Sequence, residues 1–403
     1  MSKDEGKRRV PIVTVFLPQV NQPTRSRLFL AVTAPQTVKC VLGGQLGYLS
    51  RGGFATTVVS SAGPDLFKTA QEQGVAACAV KMAREVAPAS DLVSLVRLLL
   101  LIRRIRPELT AYGTPKASLL ASIAALLCRV PTRIYMVHGL RFQTKTHLSR
   151  AVMRLTERIT LSASTHAVAA SVSVRDALVD GGLVRAEKVT VLGAGALVGV
   201  DLERYRTYDQ SQTSLLQASL KIPAGARVIG FVGRLVRDKG VPELLDAFLA
   251  LQRRREDVHL LLVGDFEEGD ALTPEVVSAI EGHPQIHHVP CTEDVTPFHF
   301  LMDFLVLPTH REGFPTAILE AAAAGKPAVT TTATGAVDAV IHGETGLHVR
   351  VGRADELVDA MTVMLDDPAR REQMGWLARD RAGREFADID VWRRILEFYR
   401  AVS

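Results

Sequence analysis

Short apolar runs alternate with helical stretches along almost the whole chain. That alternation restricts the fold to largely parallel sheets covered by helices. In the first half the strand-like runs lie at 28–32, 56–60, 75–80, 109–112, 133–137, 167–170 and 189–192. Helical patterning falls between them at 41–52, 65–73, 91–105, 115–127, 145–158 and 172–179. In the second half the strands are expected at 228–232, 259–263, 286–289, 304–307 and 328–331, and a last helix at 391–401. A chain of 403 residues suits two domains. The expected division is a basic, disordered lead-in over 1–27, a first doubly wound domain over 28–205, a second over 206–390 and a last helix over 391–403. Within the lead-in, 10–17 is a candidate adherent strand. Residues 193–223 read as a linker with a polar tract at 208–214.

The most telling segment is 308–347. Glu312 and Glu320 stand eight positions apart, separated by Gly313-Phe314-Pro315 and an apolar run that opens a helix. Glu312 is therefore placed in a loop before a helix N-terminus, and Glu320 about two turns inside that helix. Eight residues span roughly 12 Å along a helix axis, the length of a sugar joined to a nucleoside diphosphate. Between the carboxylates the helix offers free N–H groups and a positive dipole end, which suit a phosphate. Upstream, the buried-strand pattern at 228–232 ends in Gly233-Arg234, with Lys239-Gly240 following before a helix near Pro242. Arg234 and Lys239 thus fall on a loop at the carboxyl end of a strand, where open α/β sheets take ligands. An arginine fork and a lysine point charge match a diphosphate.

Charge is unevenly shared. Residues 1–200 hold 26 Lys and Arg against 11 Asp and Glu, and residues 201–403 hold 22 against 32. A basic half suggests an anionic partner. Arg150, Arg154 and Arg158 repeat with period four after Lys145, forming one basic stripe suited to anionic headgroups or to a lipid-linked diphosphate. A merely solvated face is the alternative. Nucleic acid is disfavoured, because no binding module is recognisable and aromatic residues make up 5% of the chain. The run 92–105 carries Arg97, Arg103 and Arg104 and is shorter than the roughly 20 residues a membrane span needs, so it reads as a domain helix with one exposed face. No signal peptide is expected. Cys40, Cys78, Cys128 and Cys291 are scattered, against a disulfide framework or structural zinc.

With these residues in view, the chain resembles the retaining family-4 glycosyltransferases of bacterial polysaccharide assembly. The resemblance rests on Gly233-Arg234, Lys239-Gly240, Arg311-Glu312-Gly313, Glu320-Ala321, Gly325-Lys326-Pro327 and Gly343-x-Thr345-Gly346. It implies a GT-B fold: α/β, with two doubly wound Rossmann-like domains facing a cleft and a C-terminal helix crossing back to the first domain. It implies that Arg234 and Lys239, with Gly313, Phe314 and Pro315, hold the donor diphosphate. Glu320 would accept hydrogen bonds from the ribose, and Glu312 would meet the donor sugar.

His138, at the tip of the strand over 133–137, would contact that sugar beside the reacting bond. Lys116 and Arg141 are candidates for the acceptor side. Gly113 stands before Thr114-Pro115-Lys116 where relatives tend to carry histidine, and Ala194, Ala196 and Val198 replace commoner polar residues near Gly193-x-Gly195. Both departures bear on the acceptor.

The expected reaction is retaining transfer of a hexose-type sugar from a nucleoside-diphosphate sugar, UDP by resemblance, to a lipid-linked saccharide at the inner face of a bacterial membrane. The enzyme is thus expected to be cytoplasmic, or peripheral at that membrane. The alternatives are a soluble glycosyltransferase of small natural products, a nucleotide-sugar epimerase and a non-catalytic nucleotide-sugar binder. No obligatory metal or cofactor is expected. The sole Asp-x-Asp, Asp388-Ile389-Asp390, directly precedes the last helix, where capping explains it.

Overall fold

The computed structural model describes residues 14–16, 26–83 and 87–403. Its first sheet holds β1 (Thr14–Phe16), β2 (Ser26–Ala31), β3 (Phe54–Ser60), β4 (Ala76–Ala79), β5 (Leu109–Tyr112), β6 (Thr132–Val137), β7 (His166–Ala169) and β8 (Val189–Val191). Their order is β1-β4-β3-β2-β5-β6-β7-β8. Every pairing is parallel except β1 with β4, which is antiparallel. β1 falls inside the stretch read as an adherent strand. The rest of the lead-in lies outside the described residues, apart from Ser26 and Arg27 in β2.

The second sheet holds β9 (Arg227–Val232), β10 (Val258–Val263), β11 (Ile286–Val289), β12 (Phe304–Leu307), β13 (Ala328–Thr331) and β14 (Gly346–Val349). Its order is β11-β10-β9-β12-β13-β14, parallel throughout. Both sheets therefore reverse strand order once, between β2 and β5 and between β9 and β12. Doubly wound sheets open a crevice at the carboxyl ends of such strands. The apolar runs of the central strands are buried on both faces, as parallel sheets require.

Three expectations are corrected. The segment read as a linker carries two helices, Leu202–Arg206 and Ser211–Ser219. The Asp201 carboxylate caps the first by accepting from Arg204 N–H at 3.1 Å, and Tyr208 stacks on Phe300 at 4.7 Å. β14 was not expected as a strand. Finally, the basic stripe does not form as read. The helix begins only at His147, so Lys145 precedes it. The Arg154 guanidinium lies over the Phe142 ring at 5.4 Å and donates to the Gly181 carbonyl at 2.8 Å, which turns it into the protein body.

The final helix, Asp388–Val402, leaves the second sheet and buries Val391, Ile395, Leu396 and Tyr399 among core residues of the first. Trp392 packs beside Tyr48, and Thr132 Oγ1 donates to the Val402 carbonyl at 2.8 Å. Asp388 and Asp390 occupy this helix's first turn. Asp388 accepts from Ile389 N–H at 2.6 Å and Asp390 pairs with Arg393 at 2.7 Å, while Ala387 holds the cap position itself. The acidic pair thus complements the helix dipole from inside the first turn.

Candidate active site

Two loops of the second sheet meet at its reversal point. The loop after β9 carries Arg234 and, in a 3-10 turn over Arg237–Lys239, Lys239. The loop after β12 carries His310, Arg311 and Glu312. Because β9 and β12 are hydrogen-bonded neighbours, residues 73 positions apart become adjacent. The Lys239 ammonium is ion-paired with the Glu312 carboxylate, and both side chains are largely buried. Arg311 pairs with Asp238 at 2.7 Å. His310 Nε2 lies 2.8 Å from the Glu243 carboxylate, which raises the histidine pKa. Arg234 sits apart, half exposed, with Nη1 donating to Glu267 at 2.8 Å.

Glu312 is followed by a non-helical turn, and the helix opens only at Thr316 with Pro315 at its cap. Glu320 is therefore about one turn inside the helix rather than two. Pro315 accounts for the difference, because its extended ψ of 106° delays the first helical residue. Burial pushes the Glu320 carboxyl up to about 7, offset by Arg204 and reinforced by Asp294. Those two residues form an ion pair of 2.5 Å beside it. Phe314 packs on Phe386, with ring centroids 5.1 Å apart.

From the first sheet, the loop after β6 comes against these residues. A Cβ added to Gly313 would overlap the His138 carbonyl, and one added to Gly139 would lie 3.0 Å from the Gly313 nitrogen. The two backbones approach this closely only because both positions are glycine. That contact sets the His138-Gly139 backbone against the backbone of Glu312-Gly313. The imidazole itself rests on Gly113, where a Cβ would lie 2.8 Å from Nε2. The departure noted at Gly113 is thus explained sterically: the space of a side chain is occupied by the His138 ring. Burial lowers the His138 pKa to about 4, so the ring is neutral at pH 7.

Further bonds tie the walls together. Thr144 Oγ1 donates to Asp238 at 3.2 Å and accepts from Arg311 Nε at 3.0 Å. Gln143 donates to Thr334 Oγ1 at 2.9 Å. Ser173 Oγ bonds Asp338 and accepts from Gly335 N–H at 2.7 Å. Sequence reading missed all of these, and no signal in the sequence links residues more than 90 positions apart. It could have found Asp238, which stands next to Lys239. Of the two acceptor candidates, Lys116 is held by Asp91 at 2.5 Å, a strut between two helices. Arg141 opens the 3-10 turn Arg141–Thr144 that supplies the wall contacts.

The structure thus brings His138, Glu312, Lys239 and Gly313 to one point. It leaves Arg234 at the rim and places Glu320 along the helix, near Arg204 and Asp294. A cation, a carboxylate and a helix N-terminus in one crevice, with the His138-Gly139 backbone against them, can hold a polyanion beside a polyhydroxylated group.

Comparison with known proteins agrees. Residues 213–381 match the family model of glycosyl transferases group 1, and residues 41–195 match a glycosyl transferase 4-like domain. The chain is 31% identical over 373 residues to the capsular polysaccharide biosynthesis glycosyltransferase CapM of Staphylococcus aureus, covering 93% of this chain and 96% of CapM. It is 31% identical over 194 residues to a D-inositol 3-phosphate glycosyltransferase of Arthrobacter, covering 46% of this chain and 45% of that protein. Among solved structures, Anabaena HepE in complex with UDP-glucose superposes with a TM-score of 0.77 at 20% identity, covering 93% of this chain and 99% of that one. The chain belongs to the family-4 glycosyltransferases and has their GT-B fold.

Proposed function

We propose that this protein transfers a hexose-type sugar, with retention, from a UDP-sugar to a saccharide hydroxyl on a lipid carrier in cell-surface polysaccharide synthesis. The observation that carries this reading is the meeting of His138-Gly139 with Glu312-Gly313 beside Lys239. The likeness to CapM supports the biological setting, and the likeness to HepE supports the carrier nucleotide.

In this reading the donor diphosphate takes Lys239 from Glu312 and meets the helix N-terminus at Gly313-Phe314-Pro315. Arg234 swings from Glu267 to the same phosphates. Freed from its cation, Glu312 accepts hydrogen bonds from sugar hydroxyls. Neutral His138 orients the sugar without adding a like charge to the oxocarbenium-like centre. Glu320 holds the ribose. The bond from the anomeric carbon to the phosphate oxygen breaks, the acceptor oxygen bonds to the same face, and the acceptor proton passes to the departing phosphate. Lys239 and the helix amides stabilise the charge that grows there. The reading needs no metal.

The test is incubation of membranes and purified protein with labelled UDP-glucose, UDP-galactose and UDP-N-acetylhexosamines. Label is expected in the organic-extractable lipid fraction, with the donor's anomeric configuration kept in the product by NMR. Release of free sugar alone, an inverted product or conversion to an epimeric nucleotide sugar would overturn it.

A further inference from the structure

Three helices of the first domain expose large apolar side chains to water. The helices Pro88–Ile105, Pro115–Leu127 and His147–Ala163 pack side by side on one face of the first sheet. On the third, Leu148, Val152, Leu155 and Ile159 are exposed, Leu148 by 80%. Their spacing of four, three and four aligns them on one stripe. On the first helix, Leu92, Val93, Val96 and Leu100 are exposed by about half or more. Leu126 and Leu127 close the middle helix with the same character. Single exposed apolar residues are ordinary, but a run across adjacent helices marks a surface that meets something apolar.

The same region is strongly basic. Residues 88–163 hold 12 Lys and Arg against 3 Asp and Glu. Of the three acids, Asp91 pairs with Lys116, Glu108 with Arg27, and Glu157 accepts from Tyr135. Arg97, Arg103, Arg104, Arg129, Arg150 and Arg158 surround or interrupt the apolar faces. A second copy of this chain is a poor occupant, because a two-fold contact would set the same arginines against each other. An apolar face with a cationic border matches an anionic bilayer: leucine side chains enter the acyl boundary and guanidinium groups stay at the phosphates.

We propose that this three-helix face is a membrane-docking surface that inserts its leucines and valines into an anionic lipid leaflet. It deepens the lipid-carrier reading given above, since it names the surface from which such an acceptor arrives. The docked contact is apolar first and electrostatic second, unlike a simple basic stripe. The N-terminal ends of all three helices follow the carboxyl ends of parallel strands, so the face leads to the crevice holding His138.

The experiment is co-sedimentation of the purified full chain with phosphatidylglycerol-containing vesicles and with pure phosphatidylcholine vesicles, beside the triple variant Leu148→Gln, Val152→Gln, Leu155→Gln. The wild type is expected to sediment with the anionic vesicles, and the variant to lose about tenfold or more in partitioning. UDP affinity by calorimetry should be the same in both, which separates this inference from the donor-site reading and shows the variant is folded. A single Leu155→Trp reporter should shift to the blue on mixing with anionic vesicles. Equal binding of wild type and triple variant, no binding by the wild type, or a wild-type dimer that the triple variant breaks would each overturn the proposal.

Discussion

The two walls of the crevice come from sheets of the same winding, yet they are built differently. The wall from the second sheet is charged, with Lys239 on Glu312, Arg311 on Asp238 and Arg234 on Glu267. The wall from the first sheet offers one neutral imidazole and bare backbone at His138-Gly139. The charged wall suits a diphosphate, whose affinity comes from cations and helix amides. The other wall must approach a neutral sugar and an incoming hydroxyl, for which close fit matters more than charge. One topology thus supplies electrostatics on one side and shape on the other.

That contrast can be broken from either side. Lys239→Ala removes the cation of the charged wall and is expected to lower kcat/KM by about 10²–10³, measured by donor turnover. Gly139→Val attacks shape from the neutral wall, because its Cβ would lie 3.0 Å from the Gly313 nitrogen. It is expected to lower transfer by about 10² while UDP affinity changes little, measured by pairing turnover with calorimetry. If that variant lost UDP binding as strongly as transfer, the two walls would not be separable.

Glu320→Ala sharpens the comparison along the helix. It is expected to weaken nucleotide binding by about 1–3 kcal/mol, the worth of hydrogen bonds to a charged group. The Glu320 carboxyl titrates near pH 7, raised by burial. Its ionised form is the better acceptor, so UDP affinity should rise a few-fold (about 2–5) from pH 6 to pH 8, and Glu320→Gln should flatten that rise.

The smallest effect concerns stability. His138 of the folded state, desolvated by its neighbours, stays neutral down to about pH 4, whereas the unfolded chain's histidine takes its proton near 6.5. The unfolded state therefore binds more protons in that window, and His138 makes the fold lose stability as pH falls from 6.5 to 4. In a His138→Asn variant this contribution should be missing from thermal melts across the same window.

The sequence revealed the charged wall far better than the neutral one. Gly233-Arg234, Lys239 and Glu312 lie on loops that immediately follow apolar strands, so periodicity alone places them at a crevice. The parallel strands were legible for the same reason, whereas β14 was not: Gly346–Val349 pairs a glycine and a histidine with two apolar residues and gives no run. The helices at 202–206 and 211–219 were hidden because they are short, five and nine residues, and a polar tract separates them. The inward turn of Arg154 likewise depends on Phe142 and Gly181, which lie outside its own helix. The space beside Gly113 is filled by the ring of His138, 25 positions on, which no local pattern reveals. What stayed hidden was set by packing between distant segments rather than by local pattern.

The central claim is that Lys239 exchanges Glu312 for the donor's phosphates. Calorimetric titration of wild type and Lys239→Ala with UDP and with uridine tests it most directly. The account predicts that wild type binds UDP more tightly than uridine by a margin that shrinks in the variant, while uridine binds both alike. An unchanged margin would contradict it.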